Sequence, residues 1–244
     1  MWAYDLGCRP GQQNHPKSFV AAPLETFRAA YASIPAEHRH AYEVVDSACV
    51  LYFDLESTGE HRRSGDEMAR RVAAVGREVL TEAAASHGLS VRVECVAVDS
   101  AHPSKFSRHL LLIAIAASDQ LVLLPGPRNA GALAARVAER VGEAARVIDR
   151  AVYAKGRCLR LVGSSKLTGA YTAPLLFNAQ LSSISEEAAG LALAAPASEG
   201  QLILPSQARM PPPSAALVAA PAAPSTAFQA AQRSAARAAG RLSL

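Results

Sequence analysis

The chain is short of cysteine, of aromatic residues and of long apolar runs, and each shortage narrows its class. Its four cysteines, Cys8, Cys49, Cys95 and Cys158, are far apart, with no Cys-x-x-Cys pair and no histidine at zinc-finger spacing. That pattern indicates neither a structural zinc site nor a disulfide framework, and it fits a reducing compartment. No apolar run approaches the ~18 residues needed to span a bilayer. The opening "MWAYDLGCRPGQQNH" has neither the basic leader nor the apolar core of a secretory signal. The expectation is an intracellular protein with no membrane association. There is no internal repeat, and a net charge of +4 permits an anionic partner without naming one.

Aromatic residues are scarcest toward the end. From Pro196 onward, "PASEGQLILPSQARMPPPSAALVAAPAAPSTAF" is rich in Ala, Pro and Ser, a composition that buries too little apolar surface to offset the entropy of ordering. Residues 196–244 are therefore expected to be a disordered tail, with room for a short helix in "AFQAAQRSAARAAGRL". Residues 1–195 are expected to form one domain, about 190 residues long and near the upper range for a single core.

Within that part, "ACVLYFDLE" alternates between two faces, with Cys49, Leu51, Phe53 and Leu55 on one and Val50, Tyr52, Asp54 and Glu56 on the other. This predicts a strand that ends in two carboxylates on one side. Ser64, Gly65, Asp66 and Glu67 supply a cap and an acidic first turn for a helix carrying Met68, Val72, Val75 and Val79 inward, stopped by Gly88. "SVRVECVAVD" alternates as a strand, and "HLLLIAIA", apolar on both faces, reads as a central one. After "LPGPRN", Asn129 is placed to cap a helix with Leu133, Val137 and Val141 toward the core. "VIDRAVY" and "RCLRLVG" follow as two short strands, close enough for a hairpin. The order of elements predicts a mixed domain of the α+β class.

Asp54 and Glu56 stand two apart on a strand, which puts their Cβ atoms roughly 6 to 7 Å apart on one face, given a rise of ~3.3 Å per residue. Two carboxylates this close repel, and a hard cation such as Mg²⁺ or Mn²⁺ keeps both ionised. The same spacing also suits a solvated strand end. Lys105, Ser107 and His109 repeat the geometry in "PSKFSRHLLLIAIA". Ammonium, hydroxyl and imidazole donors on one face form a cradle for phosphate oxygens. A histidine capping a buried strand by hydrogen bonding is the competing reading. Asp149 sits inside an apolar strand pattern, and it becomes a third carboxylate if its strand adjoins that of Asp54. Three carboxylates hold the two cations of an in-line displacement at phosphorus. Arg157, Arg160, Ser164, Ser165 and Lys166 add donors suited to phosphates; a solvated edge strand is the alternative for the arginines.

In order, "YFDLE", "KFSRHL" and "IDRAVYAKGRCLRLVGSSK" resemble the three signature segments of the archaeo-eukaryotic primase superfamily, and of its eukaryotic primase-polymerases in particular. The resemblance spans residues 17–170. It implies a primase-like core of mixed sheets flanked by helices, in shortened form. It implies Asp54, Glu56 and Asp149 as catalytic ligands of Mg²⁺ or Mn²⁺. Lys105, Ser107 and His109 then hold the incoming triphosphate, and Arg157, Arg160 and Lys166 contact nucleotide and template phosphates. The implied activity is template-dependent primer extension by two-metal phosphoryl transfer, with a role in replication past damage or stalled forks. Its partners are a single-stranded DNA template, a primer, nucleoside triphosphates and a single-stranded-DNA-binding protein, in the nucleus or mitochondrion. Only 40 positions separate His109 from Asp149, fewer than the eukaryotic members carry there, and residues 171–244 hold no cysteine or histidine for the family's zinc knuckle. Extension is therefore expected rather than de novo priming. The alternative is a catalytically silent remnant that still binds single-stranded DNA.

Overall fold

In a computed structural model of the chain, structure is described for residues 1–5, 17–35, 38–59, 64–100, 104–154, 156–164, 175–178 and 202–203. In chain order the elements are β1 (Trp2–Asp5), β2 (Lys17–Val20), α1 (Leu24–Ser33), β3 (Ala41–Val45), β4 (Leu51–Thr58), α2 (Gly65–Ala85), β5 (Val91–Asp99), β6 (Lys105–Ala116), β7 (Leu121–Leu123), α3 (Pro127–Val141), β8 (Ile148–Asp149), β9 (Arg157–Arg160), β10 (Leu175–Asn178) and β11 (Leu202–Ile203). Helices mix with sheets in which β1 pairs β2 and β3, β4 pairs β6 and β8, β5 pairs β6 and β10, and β6 pairs β7, all antiparallel, while β11 pairs β7 in parallel, an arrangement compatible with the α+β class. No described helix is long and apolar enough to cross a membrane. Where one domain was expected over residues 1–195, the chain divides into two compact units, one of Met1–Val44 with the segment from Cys158, the other built on Val45–Arg157.

The first unit carries a sheet in the order β2-β1-β3-β9. Alternation along β1 turns Trp2 and Tyr4 toward α1, where the Trp2 and Phe27 rings stack at 4.0 Å and Phe27 and Tyr31 follow at 5.6 Å. Tyr31 donates its hydroxyl to the Val162 carbonyl at 2.9 Å and lies 2.6 Å from Ser164 Oγ, which accepts from the Ala41 N–H at 3.1 Å. On the other face the Tyr42 hydroxyl donates to Asp5 Oδ2 at 2.7 Å, and Lys17, paired with Asp5, stands 3.6 Å over the Tyr42 ring. Burial first, then the bond to Asp5 and its charge, raise the Tyr42 phenol above its ordinary 10.0. A raised folded value gives stability that is complete below pH 10 and lost as pH climbs through that higher value. The unfolding midpoint of the first unit should therefore fall above pH 10, and Tyr42→Phe should flatten that fall.

The second unit is built on a sheet in the order β10-β5-β6-β4-β8, with β7 paired to β6 and to β11. β6 runs between β5 and β4, as its two apolar faces predict. It begins at Lys105, four residues before the expected strand, because β4 continues to Thr58 and offers a partner as far as Lys105. α2 covers one face: Gly65 sits against the Phe106 ring, and Gly76 against Leu112 and Phe53. Met68, Val72 and Val79 are buried as expected, while Val75 is only half-buried and Ala69, Ala73, Leu80 and Ala83 complete the stripe. Ser64 makes no side-chain capping bond. Gly88, at φ 74°, does close the end.

Two further expectations are corrected. α3 starts at Pro127 with Gly126 as its cap position, so Asn129 lies inside the first turn. Proline prefers the first helical position, where its missing N–H is not needed. Leu133, Val137 and Val141 are buried as read. α3 lies beside α2, with Glu82 taking bonds of 2.7 and 2.8 Å from Arg140 and 3.0 Å from Arg136. The second correction is that "VIDRAVY" and "RCLRLVG" form no hairpin. Only Ile148–Asp149 is strand, paired to β4, and Arg150–Tyr153 then coils into a 3-10 turn, while β9 joins the other sheet beside β3. The expected tail lies outside the described residues, except that Leu202–Ile203 forms β11.

Tyr153 explains the local choice of a turn over a strand. Its ring packs on Gly131 of α3, where a Cβ would come within 2.8 Å of Tyr153 Cβ and 3.0 Å of its Cγ. Alanine improves helix propensity by about 1 kcal/mol, but overpacking costs about 1–3 kcal/mol, and these ring atoms are tethered to their own backbone. Gly131→Ala is expected to lower stability by about 1 kcal/mol, read as a reduced urea midpoint at unchanged slope. A raised midpoint would show that Tyr153 moves aside freely.

Candidate active site

β8, β4 and β6 lie side by side, and their register decides which chemical groups meet. Asp54 is the partner of His109 on one side and of Asp149 on the other. Glu56 faces Ser107, and Thr58 faces Lys105. Directly opposed residues share a face of an antiparallel pair, and residues two apart stay on it. Asp149, Asp54 and His109 thus form one row across three strands, with Glu56 and Ser107 in the next row and Lys105 beyond. The opposite face carries Phe53, Leu55, Phe106, Arg108 and Leu110, and Phe53 and Phe106 on it pack against α2.

The side chains of this row are partly shielded, with Asp54 16 % and His109 12 % exposed, and His109 Nε2 stands 3.7 Å from Asp54 Oδ1. Lys105 Nζ lies 2.6 Å from Glu56 Oε1. Asp149 Oδ1 accepts from the Ala151 N–H at 2.8 Å and so caps the 3-10 turn that follows it. Ser107 is buried, its Oγ 3.3 Å from that of Ser100. Among the described residues, no three His, Cys, Asp or Glu side chains are gathered closely enough to hold a metal ion. Asp54, Glu56 and Asp149 are turned to different neighbours, the His109 imidazole at 3.7 Å, the Lys105 ammonium and the Ala151 N–H, while the strand register keeps all three on one face. Asp54, Glu56 and Asp149 are the residues that could hold a hard cation. Their all-oxygen donor set is of the kind a hard cation takes.

Six of the eleven residues marked from the sequence therefore share one face of three adjacent strands. Arg157 and Arg160 lie on β9 of the four-stranded sheet, where Arg160 sits near enough to Tyr42 for its charge to act on that phenol. Lys166 and Ser165 fall outside the described residues. Ser164, read as a phosphate donor, is instead fully buried and committed to Ala41 and Tyr31.

The sequence reading missed what holds the row in place. Arg108 lies between Ser107 and His109 and points to the helix face. Its guanidinium, 5 % exposed, forms an ion pair with Asp66 Oδ1 at 2.7 Å and donates to Asp99 Oδ2 at 2.9 Å. It thereby ties β6 to the end of β5 and to the first turn of α2. The alternation of "KFSRHL" carried that signal, since it places Arg108 with Phe106 and Leu110. Tyr52 and Tyr153 were missed as well. The Tyr153 hydroxyl donates to the Tyr52 carbonyl at 2.7 Å, and the Tyr52 hydroxyl to the Val152 carbonyl at 3.2 Å. Burial first, then the charges of Tyr52, Asp54 and Asp149, hold the Tyr153 phenol well above its ordinary 10.0, so it stays a donor.

No protein-family model matches the chain, and no curated protein matches it.

Removing one partner of a buried ion pair costs about 3–5 kcal/mol, and Asp66, which is more than half exposed, recovers part of that by hydration. Arg108→Met is expected to lower stability by about 3 kcal/mol in chemical denaturation. A loss under about 1 kcal/mol would mean that the Arg108 bridges add little over solvent.

Proposed function

We propose that this chain is a template-dependent nucleotidyltransferase of the primase-polymerase type, extending a primer with nucleoside triphosphates on single-stranded DNA. The observation that carries the reading is the row Asp149, Asp54, His109, with Glu56, Ser107 and Lys105 beside it on one face of three adjacent strands. The sequence resemblance marks the same residues, and its primase-like core is the fold this reading attaches to the mixed helices and antiparallel sheets.

Asp54, Glu56 and Asp149 would hold Mg²⁺ or Mn²⁺. Such cations, when bound, lower the pKa of a primer 3′-hydroxyl and stabilise charge on the departing pyrophosphate. The chain's own groups do the rest. Lys105 is paired with Glu56, so it carries a counter-ion before any ligand arrives, and the His109 imidazole stands 3.7 Å from Asp54. An incoming triphosphate takes Lys105, Ser107 and His109 as donors. Glu56 and Asp54, released from Lys105 and His109, would then be available with Asp149 to hold the cation. Arg157, Arg160 and Lys166 are assigned to nucleotide and template phosphates. A nuclear or mitochondrial setting, a part in replication past damage or stalled forks, and a single-stranded-DNA-binding protein as partner all belong to the same proposal.

One observation favours a second reading. Each carboxylate of the row already has a local partner, and that suits a silent remnant which binds single-stranded DNA through salt-sensitive phosphate contacts. Incorporation of a labelled nucleotide on a primed template, with Mg²⁺ and with Mn²⁺, separates the two. The proposal expects metal-dependent incorporation that falls by at least about 10²-fold in Asp54→Ala and in Glu56→Ala, with template binding retained. Template binding without incorporation by the parent chain would establish the remnant instead.

A further inference from the structure

Asp149 reaches its place on a strand of only two residues. So short a ladder holds its register weakly, and a slip of one residue would throw Asp149 to the opposite face. The segment behind it supplies what the ladder lacks. Asp149 pairs with Asp54, while Val152 and Tyr153, at the far end of the 3-10 turn, are bonded to Tyr52. The turn is thus fastened to β4 at two points two residues apart. The Tyr153 hydroxyl donates to the Tyr52 carbonyl, beyond the point on β4 where its ladder with β8 ends at Asp54. The two rings pack at 5.2 Å, and Gly131 leaves room for the Tyr153 side chain.

The near end of the turn has a different fastening. The Asp149 carboxylate itself caps the turn by accepting from Ala151 N–H. Drawing that carboxylate toward Asp54 to share a cation gives up the cap, and the two tyrosine hydroxyl bonds remain as side-chain ties of the turn to β4. We infer that Tyr153 is a positioning residue: its bond to the Tyr52 carbonyl keeps Asp149 in register with Asp54 while the Asp149 carboxylate leaves its cap for the cation. The inference rests on the cation-binding role given to Asp54 and Asp149 in the proposed function, and it adds that the site is supported from behind by a pair of tyrosines.

The experiment is a titration of the full-length chain with Mn²⁺, followed by the electron paramagnetic resonance signal of the free ion. It uses Tyr153→Phe, Asp149→Asn and the double variant. Asparagine caps as well as aspartate, so Asp149→Asn keeps the turn and loses only the charged ligand. Tyr153→Phe is expected to weaken Mn²⁺ binding about 10-fold and to add nothing further in the Asp149→Asn background, because it acts through Asp149. Should Tyr153→Phe not fold, Tyr52→Phe removes the other tie of the same turn to β4, from the Tyr52 hydroxyl to the Val152 carbonyl, and an expected loss of about 3-fold that vanishes in the Asp149→Asn background tests whether fastening the turn to β4 positions Asp149. Parent-like affinity in the tyrosine variant would overturn the inference and leave the nucleotidyltransferase reading standing. An equal loss with and without Asp149 would also overturn it, since the effect would then be a general loosening of the sheet. A parent chain that binds no Mn²⁺ would remove the reading and the inference with it.

Discussion

The register of β4 against its two neighbours is the constraint on which the rest depends. A shift of one residue along β6 would bring Asp54 opposite Arg108 or Leu110 instead of His109 and turn the donor row into the helix layer. Hydrophobic burial prevents this. Phe53, Leu55, Leu110 and Leu112 are fully buried, and taking a large apolar side chain out of water contributes about 1.5–3 kcal/mol. Moving that set to the polar face would forfeit several such contributions at once. The core on one side of the sheet therefore fixes the chemistry on the other.

Arg108 belongs to the same logic although it is charged. It occupies a position on the buried face where alternation would place an apolar residue, and Asp66 and Asp99 accept its charge. Because its two partners come from α2 and β5, it links the helix that covers the core to the strand that carries Ser107 and His109. On the other face Lys105 is ion-paired with Glu56, and the His109 imidazole stands 3.7 Å from the Asp54 carboxylate.

Much of this was legible in the chain because it is local. Strict alternation placed Asp54 with Glu56, and Lys105 with Ser107 and His109, on common faces, and the apolar run Leu110–Ala116 marked a strand with neighbours on both sides. What was not legible was long-range or depended on backbone detail. The hairpin expected from "VIDRAVY" and "RCLRLVG" failed because the sheet that captures each strand is chosen by pairing with β4 and with β3, far away in sequence. Asn129 looked like a cap because it is a good one, but Pro127 two residues earlier already sets the helix start. Tyr153 reads as one more β-forming residue until Gly131, in a helix twenty-two positions before it, opens a seat for its ring. The meeting of Asp149 with Asp54 was conditional on two strands adjoining, and periodicity carries no information about that.

The most direct test is to ask where a paramagnetic ion sits. With substoichiometric Mn²⁺ in the isotopically labelled full-length chain, the account expects the amide signals of Asp54, His109 and Asp149 to broaden together and ahead of those on the α2 face. Broadening at some other cluster, with these three unaffected, would contradict it.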